Sequence, residues 1–360
     1  MSEKPAVVGY IGAFKPDYAR NQIIRAGLVA HSWHVRTAPL PVGLPTWRKI
    51  GHLWASMWRL RDDVDFFLLA EFNQLLAPFA ILFGAVLGRP VVVDYLVGLY
   101  ESSVIDRETV APESWRARLF RWIDALNCRL AKAIFTDTHT HRAFLRELVG
   151  PAADRLFVVP VGVDNQSWQG AGTDAVPKDR LQVHFFGTYI PFHGVEVIVQ
   201  AAHLLAEDPR FLFVLVGRGQ TYPAVRAEAE QIGVRNVRFV DMLPPDELPA
   251  YTALADICLG VFGDREKTNY VVPNKLYQYM ALGKPVITAE SAAVREFFTP
   301  DVHLVTVPPG DAQALADALR ALADDPERRV ALGQAAAERV QGEFTPEQVV
   351  LPLLERLGTW

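Results

Sequence analysis

Short runs of consecutive apolar residues alternate with helix-length segments along almost the whole chain, and the pattern runs through twice. In the front half the runs are Ala6–Ile11, Phe66–Ala70, Val91–Val93 and Ala133–Phe135, with helical spacing at 74–88 and 112–132. A strand that is apolar at successive positions is covered on both faces, as in a parallel sheet lying between helices. Alternation with helices predicts right-handed βαβ units. After VVPVGVD at Val158–Asp164 comes a polar, Gly-rich stretch, Asn165–Arg180, which is the candidate linker. The pattern then restarts, with strands expected at Leu181–Phe186, Phe211–Val216, Val237–Val240, Ile257–Val261 and Pro285–Thr288. Helices are expected at 194–207, 221–232, 245–254, 274–282 and 311–323, and Glu343–Leu357 reads as a final amphipathic helix. A chain of 360 residues is also long for one core. The reading is two α/β domains, 1–168 and 169–342, followed by a C-terminal helical segment, 343–360.

Charge separates the halves. Residues 1–168 hold 19 Lys and Arg against 16 Asp and Glu, a net of +3, whereas 169–360 hold 17 against 25, a net of −8. Seven of the eight Trp lie in the front half. The overall charge of −5 and pI near 6.0 argue against a nucleic-acid partner. Cys128 and Cys258 sit in apolar runs and read as buried thiols of a cytoplasmic protein. The N-terminus lacks the form of a signal peptide. The most apolar stretch, Leu75–Gly88, is interrupted by Pro78 and is short of the roughly 20 residues that span a bilayer.

In open α/β sheets ligands sit beyond the carboxyl ends of the strands, so the loops after the strands are where chemistry is expected. The first loop of the second domain reads FFGTYIPFHG. Gly187 lets backbone approach a ligand closely. Gly194 opens a helix whose free N–H groups suit a phosphate, and His193 is placed to add a donor. The loop VGRG at 216–219 repeats the strand–glycine–helix form, and Arg218 is either an anion contact or a surface charge. The richest segment is DREKTNYVVPNKLYQYMALGKPVITAES, 264–291. Pro273 suits a first helical turn. Lys275 stands in that turn, where a cation opposes the helix dipole unless an anion lies opposite. The alternative is a lysine that snorkels into solvent. Asn274 and Gln278 are four apart and share a face, and Gln278 suits the hydroxyls of a ribose. In the first domain the loop after Val91–Val93 carries Asp94, Glu101, Asp106 and Arg107. A carboxylate there, Glu101 first and Asp94 second, would orient an acceptor hydroxyl or take its proton; a structural cap or salt bridge is the other reading. Arg20 and Asn21 follow the first strand's loop.

The segments VVPVGVD, FFGTYIPFHG, LVGRG and NKLYQYMALGKPVIT, in this order, resemble the donor-binding half of family 4 glycosyltransferases. In the front half GAFKPDYARN (12–21) and VDYLVGLYESSVIDR (93–107) are similar to bacterial members. The resemblance implies the GT-B fold: two Rossmann-like domains facing a central cleft, with the C-terminal helix packing back on the first. It implies transfer of a sugar from a nucleoside-diphosphate sugar to a glycan or lipid-linked acceptor, retaining anomeric configuration, with no metal or other cofactor. Departures from the family pattern fall on four residues. Tyr270 and Gln278 stand where the family has its two Glu, and Thr188 and His193 stand where the glycine loop has Arg and Lys; Lys275, with Arg265 or Lys267, would compensate. A nucleotide-sugar epimerase of the same fold and a non-catalytic binding protein are the rival readings. Trp47–Arg61, WRKIGHLWASMWRLR, reads as an amphipathic helix with Trp47, Ile50, Trp54 and Met57 on one face and Arg48, His52 and Arg59 on another. It suits either an anionic membrane on the cytoplasmic side or packing on the sheet with Arg outside.

Overall fold

The computed structural model describes residues 6–168 and 179–358. The chain divides into two compact units, 1–162 with 345–360, and 163–344. The boundary falls before the expected linker, whose first residues wind into a short helix; residues 169–178 of it lie outside the described residues.

In the first unit the elements are β1 (Val7–Gly12), α1 (Ala19–Ala30), β2 (His34–Pro39), α2 (Thr46–Leu60), β3 (Phe66–Leu69), α3 (Ala77–Val86), β4 (Val91–Asp94), α4 (Trp115–Leu130), β5 (Ala133–Thr136), α5 (His139–Val149) and β6 (Leu156–Val158). The second unit runs α6 (Asn165–Trp168), β7 (Leu181–Phe186), α7 (Val195–Leu204), β8 (Phe211–Val216), α8 (Tyr222–Gln231), β9 (Val237–Val240), α9 (Leu248–Ala253) and β10 (Ile257–Leu259). It continues with α10 (Asn274–Ala281), β11 (Val286–Ala289), α11 (Ala292–Phe297), β12 (Val305–Val307), α12 (Ala312–Asp324) and α13 (Pro326–Glu343). The chain then returns to the first unit as α14 (Pro346–Val349) and α15 (Leu351–Leu357).

Each unit is built on a six-stranded parallel sheet, ordered β2-β1-β3-β4-β5-β6 in the first and β12-β11-β10-β7-β8-β9 in the second. The direction of travel reverses once in each. The reversal lies between β1 and β3 in the first sheet and between β7 and β10 in the second, and loops on either side of such a point splay apart and leave room for a ligand. Central strands are wholly buried: β3, β4 and β5 have no exposed position. Ile11, Phe67, Leu69, Val93 and Ile134 join Leu53 and Met57 of α2 and Leu145 of α5 in the first core. Val183, Phe185, Phe213, Leu215 and Ile287 join Ile198, Leu315 and Leu319 in the second.

Two features differ from the sequence reading. The continuous helix expected over 343–357 is two short ones, because Pro346 and Pro352 each supply a first helical turn and lack an N–H to continue a preceding one. Strands β2, β6 and β12 were not expected: β2 reads HVRTAP and has no buried position, so its pattern is not that of a strand covered on both sides, and β6 and β12 are three residues each.

Candidate functional site

The second unit gathers its glycine loops at the reversal point. After β7, Gly187 N–H donates to Val216 O and Tyr189 N–H to Arg218 O, so the loops after β7 and β8 lie backbone on backbone. A Cβ on Gly217 would stand 2.0 Å from the Gly187 carbonyl oxygen, so this position requires glycine for packing. Across the reversal, Phe262 N–H donates to His193 O and Gly263 N–H to Phe192 O, tying the loop after β10 to the start of α7. Gly194 caps α7 in the left-handed conformation, φ 62°, and a Cβ there would meet Gly263 N at 2.2 Å.

Helix α10 delivers its first turn into this cluster. Pro273 is the N-cap in extended conformation rather than the first helical residue. Lys275 is then the second residue of the helix. It does not snorkel: it is 5% exposed, and its Nζ has no hydrogen-bond partner among the described residues. The ammonium lies 4.0 Å from the Phe185 ring centroid and 2.9 Å from where a Gly187 Cβ would be. The same Cβ would lie 3.2 Å from His193 Cε1, so Gly187, His193 and Lys275 meet at one point. Burial drives the Lys275 pKa well below its ordinary value, because a cation without an anion opposite it is disfavoured in a dry site. Burial and the Lys275 charge likewise drive His193 well below 6.5, against a hydrogen bond with the Thr188 backbone, and its Nδ1 is buried without a side-chain partner among the described residues. These are polar groups arranged as if for something absent from the chain.

The other expected residues fall around this point or away from it. Asn274 and Gln278 are half-buried on one face of α10, and Thr188 is exposed beside Gly187. Tyr270 is buried. Lys267 is buried with its Nζ 5.5 Å from the Phe192 ring centroid. Arg218 takes the surface-charge alternative: it forms a two-pronged pair with the equally exposed Asp241 at 2.9 and 3.1 Å and covers the half-buried Tyr222 ring. Phe185, the aromatic floor under Lys275, carried no signal in the sequence beyond its place in a strand.

In the first unit the expected catalytic carboxylates are not at an open rim. Asp94 closes a fully buried pair with Arg20, Oδ2 to Nε 2.7 Å, and the guanidinium also donates to Val159 O and Pro160 O. Glu101 begins a π-helical stretch, Glu101–Asp106, and is wholly buried. Its Oε2 accepts from Gly98 N–H at 2.9 Å and from His141 Nε2 at 3.0 Å, while His141 Nδ1 lies 2.7 Å from Asp137 Oδ1. The structural alternative therefore describes both residues, because each carboxylate is taken up by an internal cation. The spacing Asp137–His141, one helical turn, was the signal available for this network. Glu71, just beyond β3, accepts from Asn21 Nδ2 at 2.9 Å, and burial and the Asp94 charge push its carboxyl up to about 7.

Burial alone would lower His141, but the Glu101 and Asp137 charges more than offset it and hold the imidazole at about 9. Its contribution to stability is full below the unfolded value of roughly 6.5 and is lost as pH rises through about 9. The stability difference between the wild-type protein and His141→Gln, measured by urea unfolding, should shrink over that window; a constant difference would mean a neutral imidazole.

The helix expected over 47–61 is α2. It buries Leu53 and Met57, sets Trp54 against Phe83 at 4.9 Å, and leaves Trp47 and Trp58 in solvent. No helix among the described residues is long and apolar enough to cross a membrane.

Residues 180–325 match the family model described as Glycosyl transferases group 1. The D-inositol 3-phosphate glycosyltransferase of Corynebacterium efficiens is 32% identical over 202 residues, covering 54% of this chain and 46% of that protein. The chain spans about half the length of the curated relatives it matches. Among solved structures, sucrose-phosphate synthase from Thermosynechococcus elongatus superposes with a TM-score of 0.76 at 18% identity, over 98% of both chains. Anabaena HepE in complex with UDP-glucose gives 0.74 at 16% identity, over 99% of this chain and 100% of that one. Residues 180–325 therefore match the glycosyl transferases group 1 model, and the chain has the two-unit GT-B fold.

Proposed function

We propose that the chain transfers a sugar from a nucleoside-diphosphate sugar to a hydroxyl of a glycan or lipid-linked acceptor, with retention at the anomeric carbon and without a metal. One observation carries this reading: the buried, unpartnered Lys275 ammonium beside Gly187 and His193, at the reversal point of the second sheet. In the transfer the bond between the anomeric carbon and the diphosphate oxygen breaks, and the acceptor oxygen takes its place as its proton passes to the departing phosphate oxygen. Negative charge grows on the leaving diphosphate. A fixed cation already stripped of water stabilises that charge without reorganising. Gly187 leaves room for the phosphates, and the N–H groups at the start of α7 after Gly194 point toward them. His193 and Thr188 add neutral donors where the family pattern has cations. Asn274 and Gln278 hold the ribose, and Arg218 stays at the margin. Glu101 and Asp94 act on the first sheet's loops through His141 and Arg20 rather than on substrate. The two buried thiols, Cys128 and Cys258, suit a cytoplasmic place of action.

HepE was crystallised with UDP as well as with UDP-glucose, which makes UDP the first probe. In a thermal-shift panel of UDP, GDP and ADP, one base should stabilise the protein, by about 2.7 kcal/mol at a hundred times its Kd. Free nucleoside diphosphate should then appear from the matching sugar donor only with an acceptor present, and a chelator should not slow it. Conversion of the donor alone without diphosphate release would mean an epimerase. Binding without either reaction would mean a non-catalytic protein.

A further inference from the structure

Helix α3, APFAILFGAV, carries no charged side chain. A helix that is apolar on every side is normally enclosed, yet α3 buries only Ala77, Ala80 and Gly84. Its outward residues Phe79, Leu82 and Val86, with Leu75 just before it, lie in solvent; Leu82 is 57% and Val86 66% exposed. Spacings of three and four residues put them on one stripe.

The stripe is not isolated, because α2 and α4 flank α3. Toward α2 it continues through Phe83 and Trp54, whose rings are 4.9 Å apart, to the exposed Trp58, 5.6 Å from Trp54. On α4 the exposed apolar residues include Trp115, 71%, and Trp122, 59%, with Leu119 between them. Arg116, Arg118 and Arg121 alternate with these and are also exposed. The one acid of α4, Asp124, is buried and accepts from the Leu99 and Tyr100 N–H groups, so nothing on this helix neutralises the arginines.

We propose that the α2–α3–α4 face of the first unit docks on an anionic lipid bilayer. The composition selects the occupant. Tryptophan beside arginine, around an aliphatic ridge that offers no polar partner, matches the layered chemistry of headgroups over acyl chains. The positive side chains without carboxylates match anionic headgroups. The ten residues of α3 rise about 15 Å, half of a hydrocarbon core, so the ridge lies along the surface. This docking stands apart from the transfer reaction, although it would hold the first unit where lipid-linked acceptors reside.

Vesicle co-sedimentation tests it. The wild-type chain should pellet with vesicles of phosphatidylcholine containing phosphatidylglycerol, and far less with phosphatidylcholine alone. Leu82→Gln with Val86→Gln should weaken that partition by roughly tenfold or more, since two aliphatic side chains no longer leave water. Arg118→Gln with Arg121→Gln should abolish the preference for the anionic vesicles. All four positions are exposed, so unchanged melting temperatures would separate lost docking from lost folding. Wild-type protein that ignores anionic vesicles, or undiminished binding by the Leu82 and Val86 variant, would overturn the proposal. So would light scattering that finds a dimer which the same variant disperses, because the ridge would then belong to a second copy of the chain.

Discussion

Lys275→Met is expected to raise the stability of the free protein by about 1–3 kcal/mol and to weaken nucleoside-diphosphate binding by roughly tenfold to a hundredfold. Both effects have one cause. The Lys275 Nζ is buried and has no hydrogen-bond partner among the described residues, so its ammonium stands desolvated with the Phe185 ring beneath it. A methionine of similar length fills the same space without that cost. The diphosphate, however, loses its buried cation. Urea unfolding with and without UDP reads both halves of the expectation, and a variant that is less stable and binds normally would remove Lys275 from the site. The lowered pKa of the same group adds a second signature. The incoming anion should raise it again, because an opposite charge favours the ammonium.

Arg20→Met should cost about 3–5 kcal/mol of stability. The guanidinium is fully buried, holds Asp94 at 2.7 Å and reaches the carbonyls of Val159 and Pro160. Removing it leaves a buried carboxylate without its cation and two carbonyls without a donor. Converting Asp94 to Leu in the same chain should recover much of the loss, because the uncompensated charge goes with it. A double variant no better than the single would show that packing against the Phe135 ring, 5.4 Å from the guanidinium carbon, is what matters.

The central strands were legible in the sequence because burial on two faces leaves only apolar residues to choose from. Strand β2 was not, since none of its positions is buried and it reads as mixed polarity. At the candidate site the sequence pointed to Lys275 through a local conflict, a cation in the first turn of a helix, and to Gly187 and His193 through their place after a strand. That these three meet is a tertiary fact carried by the pairing of β7 with β10, which no local pattern encodes. Glu101 and Asp94 illustrate the converse. A carboxylate after a parallel strand looks the same whether it awaits a substrate or an internal partner, and the partners, His141 and Arg20, lie 40 and 74 residues away. In the apolar stretch at 75–88 the exposed stripe becomes visible only once the buried side of α3 is known.

The chain leaves the first unit after Gly162 and rejoins it at Thr345, where α14 presses so closely on α1 that a Cβ at Gly27 would stand 2.2 Å from the Pro346 carbonyl oxygen. On the ribosome, residues 1–162 therefore wait with that groove bare while the whole intervening unit, continuous in sequence, is made and can close first. A nascent chain halted before α14 should bind a chaperone or a hydrophobic dye through the first half rather than the second, which reverses the usual order in which the N-terminal domain matures ahead of the rest.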